Sequence, residues 1–131
     1  MKKEKSKILS IIVPVYNEEK TLAGIIEKLQ KVNLGNVKKE VIIVNDSSKD
    51  NSKKIINALA NKYKNIKNFE HEKNKGKGAA IRTGLSKITG DYVTIQDGDL
   101  EYNPNDLKKM LKLILNNKAD VVYGSRILGK I

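Results

Sequence analysis

Short β-branched runs and segments of helical period alternate along this chain, and that alternation constrains the fold more than any other feature. Ile8-Leu9-Ser10-Ile11-Ile12-Val13-Pro14-Val15 is nearly continuous in apolar residues, the mark of a strand buried on both faces. Leu22, Ile25, Ile26 and Leu29 then fall at i, i+3, i+4 and i+7, one apolar face of a helix. Asn17 is the expected cap of that helix, with Glu18 and Glu19 suited to the positive end of its dipole. Gly35-Asn36 breaks the chain before Val41-Ile42-Ile43-Val44, a second buried strand. The polar turn 45–52 leads into a helix carrying Ile55, Ile56 and Leu59, and Ile66 to Glu70 has the weaker pattern of an edge strand. A glycine-rich stretch opens a third helix expected to carry Ile81, Leu85 and Ile88 and to end at Gly90. Tyr92-Val93-Thr94-Ile95 is a fourth strand. Asn103-Pro104 has the signature of a capped helix start, with Leu107, Met110, Leu111, Ile114 and Leu115 on one face behind it. Val121-Val122-Tyr123 is a fifth strand. Strands and helices alternating over short connections predict an α/β domain with a doubly wound, mostly parallel sheet, and no linker or repeat divides residues 1–131.

Composition removes whole classes of chemistry. The 131 residues include no cysteine and a single histidine, His71, which excludes a disulfide scaffold, a thiol nucleophile and a Cys-ligated zinc site. Lys and Arg number 26 against 15 Asp and Glu, a net charge of +11 that favours phosphate-bearing ligands. Only Arg82 and Arg126 are arginines, and aromatic residues make up 5%, a poor match to a nucleic-acid-reading surface. The apolar stretch after the basic start is too short for a membrane span and lacks a small-residue cleavage site, so the expected location is cytoplasmic.

Ligands of such sheets bind beyond the carboxyl ends of the strands. Those ends carry Glu18, Asp46, Asp97, Asp99 and Glu101, an acidic rim on a very basic chain. Mutual repulsion makes the rim costly unless a cation or hydrogen-bond donors are provided for it. Asp97-Gly98-Asp99 can hold a hard divalent cation, with Glu101 as a third ligand, although a lone pair of this kind also suits an ordinary acidic turn. Asp46 could accept hydrogen bonds from a nucleobase or simply cap the helix that starts near Asp50. Asn74-Lys75-Gly76-Lys77-Gly78 lets backbone approach an anion at a helix start, or merely turns tightly. Arg126, in Gly124-Ser125-Arg126, could fork a phosphate or stand in solvent. His71 and Arg82 read as structural or surface residues.

Taken together, Ile11 to Glu19 (IIVPVYNEE), Val41 to Ser52 (VIIVNDSSKDNS), the segment from Asn74 to Leu107 with GDYVTIQDGDLEYNPNDL, and Asp120 to Arg126 (DVVYGSR) resemble family 2 glycosyltransferases. The resemblance covers roughly residues 8–129 and is nearest to the dolichyl- or polyprenyl-phosphate sugar transferases, dolichol-phosphate mannosyltransferase among them. It implies the GT-A fold, a GDP- or UDP-linked sugar donor, Mg or Mn, and inversion at the transferred carbon. Carried over residue by residue, Pro14, Tyr16 and Glu18 line the nucleotide pocket and Asp46 contacts the base or ribose. Asp97, Asp99 and Glu101 form the metal and diphosphate site, Arg126 touches phosphate, and Lys77 belongs to the donor-binding loop. Asp97, Asp99 and Arg126 are thereby the expected catalytic set.

Two departures from the family pattern matter. Serine stands at position 47, where the family has glycine, and glycine tolerates a positive φ that serine resists. Family members also continue well beyond the equivalent of Ile131, with acceptor-binding elements and often membrane helices. The expectation is a donor-binding part cut off after the fifth strand. Either the fourth and fifth strands pair directly, or an open edge invites a dimer or a partner chain. The resemblance further implies a lipid-phosphate acceptor met at the cytoplasmic membrane face. A nucleotide-sugar-binding module completed by another chain is the alternative, and a general polyanion binder ranks last.

Overall fold

The computed structural model describes residues 7–97, Lys109, and the backbone of residues 121–123 and 126–129. The elements are β1 (Ile8–Val15), α1 (Leu22–Lys31), β2 (Lys38–Asn45), α2 (Ser52–Lys62), β3 (Ile66–Glu70), α3 (Lys77–Leu85), β4 (Tyr92–Ile95), β5 (Val121–Tyr123) and β6 (Arg126–Gly129). The strands form one six-stranded sheet in the order β3-β2-β1-β4-β5-β6. Every neighbouring pair is parallel except β5 with β6. β1 and β2 pair over their whole length, from Ile8 opposite Lys38 to Val15 opposite Asn45.

The alternation of side chains along β1 divides the core. Leu9, Ile11, Val13 and Val15 join Val41 and Ile43 against Leu22, Ile25, Ile26 and Leu29 of α1 and Ile56 and Leu59 of α2. Ile12 faces the opposite way with Val93 and Ile95, and Ile42 and Val44 meet Ala80 of α3. Helices cover both faces, which is why β1 and β2 read as unbroken apolar runs. The sheet is doubly wound, as the sequence predicts.

Several boundaries differ from expectation. α1 begins at Leu22 behind Thr21 rather than behind Asn17, whose backbone is left-handed at φ 54°. α3 stops at Leu85, so Gly90 does not end it; Leu85 is exposed and Ile88 lies beyond the helix, while Ala80, Ile81 and Gly84 pack against the sheet. A β-carbon on Gly84 would lie 2.5 Å from Ile12 Cγ2, so the absent side chain is what lets the helix sit this close to the sheet. β4 pairs directly with β5, so the open gap that would favour association is filled. The sheet does not stop at the fifth strand, because Arg126–Gly129 folds back antiparallel on β5. The helix expected after Pro104 lies outside the described residues, apart from Lys109, which is helical.

The end of the sheet away from the strand carboxyl termini is locked by a buried acid. Glu40 accepts from Ser10 Oγ at 2.9 Å, Thr89 N–H at 2.9 Å, Lys67 Nζ at 3.2 Å and the Thr89 hydroxyl. Gly90 N–H donates back to Ser10 Oγ at 3.0 Å, tying the entry of β4 to β1 and β2.

Candidate functional site

Three loops meet at the carboxyl ends of β1, β2 and β3. The first two are stitched to each other by reciprocal hydrogen bonds. Asn17 N–H donates to Ser48 Oγ and Glu18 N–H to Ser52 Oγ, each at 2.9 Å, while Glu19 N–H donates to Asp50 Oδ2 at 3.1 Å. In return, Lys49 N–H donates to Asn17 Oδ1 at 2.8 Å and Asn51 N–H to Glu19 Oε2 at 3.2 Å. This stitching explains why Asn17 is left-handed rather than a helix cap: its side chain serves the neighbouring loop, and Asn tolerates that conformation. Ser47 is left-handed as well, at φ 61°, so the loop keeps a glycine-like turn although serine stands there.

The third loop is organised by Asp46. Its N–H continues the β1–β2 ladder by donating to the Val15 carbonyl at 2.8 Å, which aims the side chain across to the residues before α3. Oδ1 accepts from Lys75 N–H and Oδ2 from Gly76 N–H, both at 2.8 Å, and Asn74 Nδ2 donates to the Asp46 carbonyl at 3.3 Å. Gly76 reaches this position with φ 94°, open to glycine and costly for other residues. The two amides ahead of α3 therefore meet an anion of the protein itself. Asp46 does not cap the helix after it; Asp50 Oδ1 accepts from Ser52 N–H there, at 2.9 Å.

His71 completes the arrangement. Its Nδ1 lies 2.8 Å from Asp46 Oδ1 and its Nε2 lies 2.8 Å from Thr83 Oγ1 of α3, with side-chain exposures of 8% for His71 and 3% for Asp46. Burial pushes the Asp46 carboxyl up, but the Lys75 amide, the His71 ring and the Gly76 amide outweigh it and hold the group below the usual carboxylate range. Two residues beyond β4, Asp97 is nearly buried and ion-paired with Lys77 at the start of α3.

Between these loops opens a cavity of about 280 Å³ lined by Pro14, Val15, Tyr16, Glu18, Asp46, Asn74, Gly76, Lys77, Ala80 and Asp97. Six residues singled out from the sequence (Pro14, Tyr16, Glu18, Asp46, Lys77 and Asp97) thus share one wall. Tyr16 is 41% exposed at its mouth, an aromatic face available to a planar ligand. Asp99 and Glu101 lie outside the described residues. Arg126 opens β6 opposite Tyr123, at a distance of two strands from β4 in the sheet order. Asn74 belongs to the loop the sequence singles out, whereas sequence reasoning missed His71 and Thr83, whose contacts behind this site bridge segments far apart in the chain with no local motif to signal them.

Among the described residues no group of three or more His, Asp or Glu side chains is placed to hold a metal ion. The donor chemistry nevertheless suits one at Asp97: a nearly buried carboxylate on the cavity wall already takes a cationic partner, the Lys77 ammonium. No helix among the described residues is long and apolar enough to cross a membrane.

Known proteins are similar in both sequence and fold. A UDP-N-acetylglucosamine–dolichyl-phosphate N-acetylglucosaminyltransferase of Methanococcus voltae is 36% identical over 136 residues, covering 92% of this chain and 53% of the relative. The structure of Staphylococcus aureus TarS 1-349 in complex with UDP-GlcNAc superposes with a TM-score of 0.73 at 31% identity, over 86% of this chain and 32% of that one. The mannosyltransferase PcManGT of Pyrobaculum calidifontis, in complex with GDP-Man and Mn2+, gives 0.70 at 25% identity, over 79% and 31%. This chain spans about half the length of the curated relatives it matches. The doubly wound parallel sheet is that of the GT-A nucleotide-sugar transferases, residues 10–131 match the family model of glycosyl transferase family 2, and the chain belongs to that family.

Proposed function

We propose that this chain is the donor-binding part of an inverting transferase that moves a hexose from a GDP- or UDP-linked sugar to a polyprenyl or dolichyl phosphate. The observation that carries the reading is the convergence of Pro14, Tyr16, Glu18, Asp46, Lys77 and Asp97 on one cavity at the carboxyl ends of parallel strands. The named ligands of the similar structures, UDP-GlcNAc and GDP-Man with Mn2+, support a nucleotide-sugar donor. The dolichyl-phosphate acceptor in the name of the Methanococcus voltae relative supports the lipid phosphate.

In this reading Tyr16 and Pro14 flank the base, and Asp46 accepts a hydrogen bond from base or ribose. Lys77 lies where the diphosphate enters and exchanges its contact with Asp97 for one with phosphate. Asp97, Asp99 and Glu101 would hold Mg or Mn, which when bound neutralises charge on the diphosphate. Arg126 adds a second positive group on the phosphate side. A lipid phosphate is already anionic, so its oxygen attacks the anomeric carbon without a general base. The bond to the nucleoside diphosphate breaks on the opposite face, which inverts that carbon. The acceptor places the protein at the cytoplasmic face of a membrane.

The test is a titration of UDP, GDP, CDP and their sugars with and without manganese, followed by transfer of labelled sugar to polyprenyl phosphate. Manganese-dependent binding of one nucleotide class together with transfer is the expected result. Donor binding without transfer would make the chain a nucleotide-sugar-binding module that needs a partner. Equal binding in chelator and in manganese would remove Asp97, Asp99 and Glu101 as metal ligands.

A further inference from the structure

His71 stands behind the cavity wall, in contact with Asp46 of the lining, and the proposed chemistry gives it no role. The residue is carried by an extension of β3: its N–H donates to the Asn45 carbonyl at 2.9 Å, one step beyond the Asn45–Glu70 pair of the ladder. The ring, almost wholly buried, spans from Asp46 at the end of β2 to Thr83 in the second turn of α3. An ionised carboxylate only accepts hydrogen bonds, so the hydrogen between the two lies on Nδ1. The Thr83 hydroxyl can donate or accept, and so completes Nε2 in either protonation state of the ring.

A carboxylate offers about four lone-pair sites. On Asp46 the hydrogen bonds from His71, Lys75 and Gly76 occupy three of them. The one left, on Oδ2, is what a ligand donor can meet, and its direction depends on the carboxylate not rotating. The two backbone amides hold the carboxylate from the loop side. His71 adds a second hydrogen bond on Oδ1, beside that of Lys75, and through Thr83 couples the carboxylate to the body of α3.

We infer that His71 is a positioning residue for nucleotide recognition, fixing through Nδ1–H the direction in which the Asp46 carboxylate presents its last acceptor site to the cavity. The inference rests on the reading of Asp46 as a contact of the base or ribose. Bare pyrophosphate makes no use of that contact, so the role is specific to nucleosides.

Asparagine at position 71 places an amide nitrogen near the site of Nδ1, glutamine places one near Nε2, and phenylalanine supplies neither. Affinities of the 131-residue chain for the nucleoside diphosphate it prefers and for pyrophosphate, both in manganese, are measured by titration calorimetry. His71→Phe and His71→Gln should weaken the nucleoside diphosphate about tenfold, the worth of one charge-assisted hydrogen bond. Pyrophosphate affinity should not change, and His71→Asn should recover the nucleoside diphosphate to within about threefold of the original. The ring nitrogen shifts in ¹⁵N NMR supply a readout that needs no ligand, with Nδ1 protonated in the folded protein. Unchanged nucleotide affinity in His71→Gln, no recovery in His71→Asn, or a ring protonated on Nε2 alone would overturn the inference. Should phenylalanine unfold the chain, the glutamine–asparagine contrast and the ring shifts decide alone. If the unsubstituted chain binds no nucleoside diphosphate, the proposed function fails first and this inference with it.

Discussion

Two glycines, both inside helices, should respond to alanine with opposite signs. Gly24 lies in α1 with nothing within 4 Å of the position its β-carbon would take. Alanine there removes a helix penalty of about 0.8–1 kcal/mol at no steric cost, so Gly24→Ala should stabilise the protein by roughly that amount. Gly84 lies in α3, and its β-carbon would meet Ile12 Cγ2 at 2.5 Å and Cδ1 and Cγ1 at 3.2 Å. Ile12 is fully buried among Val93, Ile95 and Ile81, so it has nowhere to turn. Helix and sheet must part by about 1 Å to restore ordinary carbon contacts. Overpacking of this kind costs about 2–3 kcal/mol. Less the helix gain of about 1 kcal/mol, Gly84→Ala should be destabilising by about 1–2 kcal/mol. For a domain of this size Tm should fall by about 4–8 °C for Gly84→Ala and rise by about 3–4 °C for Gly24→Ala. Scanning calorimetry on the two variants and the unsubstituted chain is the assay. Because α3 also presents Gly76 and Lys77 to the cavity, amide exchange at Lys75 and Gly76 should quicken in Gly84→Ala and stay unchanged in Gly24→Ala. Equal stabilisation by both alanines would refute the close packing of α3 on β1.

The remaining predictions concern buried polar groups and one strained turn. Glu40→Ala strips Thr89, Ser10 and Lys67 of their shared acceptor and should cost about 3 kcal/mol in urea unfolding; a loss below about 1 kcal/mol would show that water replaces the carboxylate. Burial raises the Glu40 and Asp46 carboxyls, but their hydrogen bonds hold both below the ordinary carboxylate range. Their contribution to stability is thus present above the unfolded pKa of about 4 and lost as pH falls through the depressed folded values; urea midpoints that are flat from pH 5 to 2 would contradict it. Ser47→Gly relieves a left-handed non-glycine residue, and after the added chain entropy should stabilise by about 0.5 kcal/mol; a lowered urea midpoint would count against strain at this turn.

How much of this was legible in the chain depended on which side chains carry the signal. β1 and β2 are buried on both faces, so their apolar runs announce them, and the polar alternation of Ile66–Glu70 marks β3 as the edge it is. In α3 periodicity gives weight to large apolar residues and finds Ile81, but Ala80 and Gly84 meet the sheet as well and Leu85 is left exposed. Asn17 offered two local uses, a cap or a left-handed turn, and only its contact with Lys49, 32 residues away in sequence, selects the second. His71 carried no signal at all, since its partners lie 25 and 12 residues away. The four residues of β6 are too few to show a period.

Two carboxylates of the acidic rim, Asp46 and Asp97, have partners within the protein itself. In a chain of net charge +11, carboxylates gathered at one edge look like a site awaiting a cation. In the folded protein Asp46 is already compensated by two backbone amides and an imidazole, and Asp97 by the Lys77 ammonium. The two solutions differ in what a ligand must displace. Backbone amides at the head of α3 cannot leave Asp46 without unravelling the loop, so that carboxylate is a fixed part of the wall and can offer only its remaining lone pair. Lys77 is half exposed on a flexible stem, and its partly solvated ion pair with Asp97 is worth about 1 kcal/mol or less. Charge at the cavity is therefore rigid at the Asp46 end and exchangeable at the Asp97 end. A ligand with a neutral, hydrogen-bonding head and a polyanionic tail matches that division: the head meets a preset acceptor, and the tail, with whatever cation accompanies it, takes over the two charges that can move.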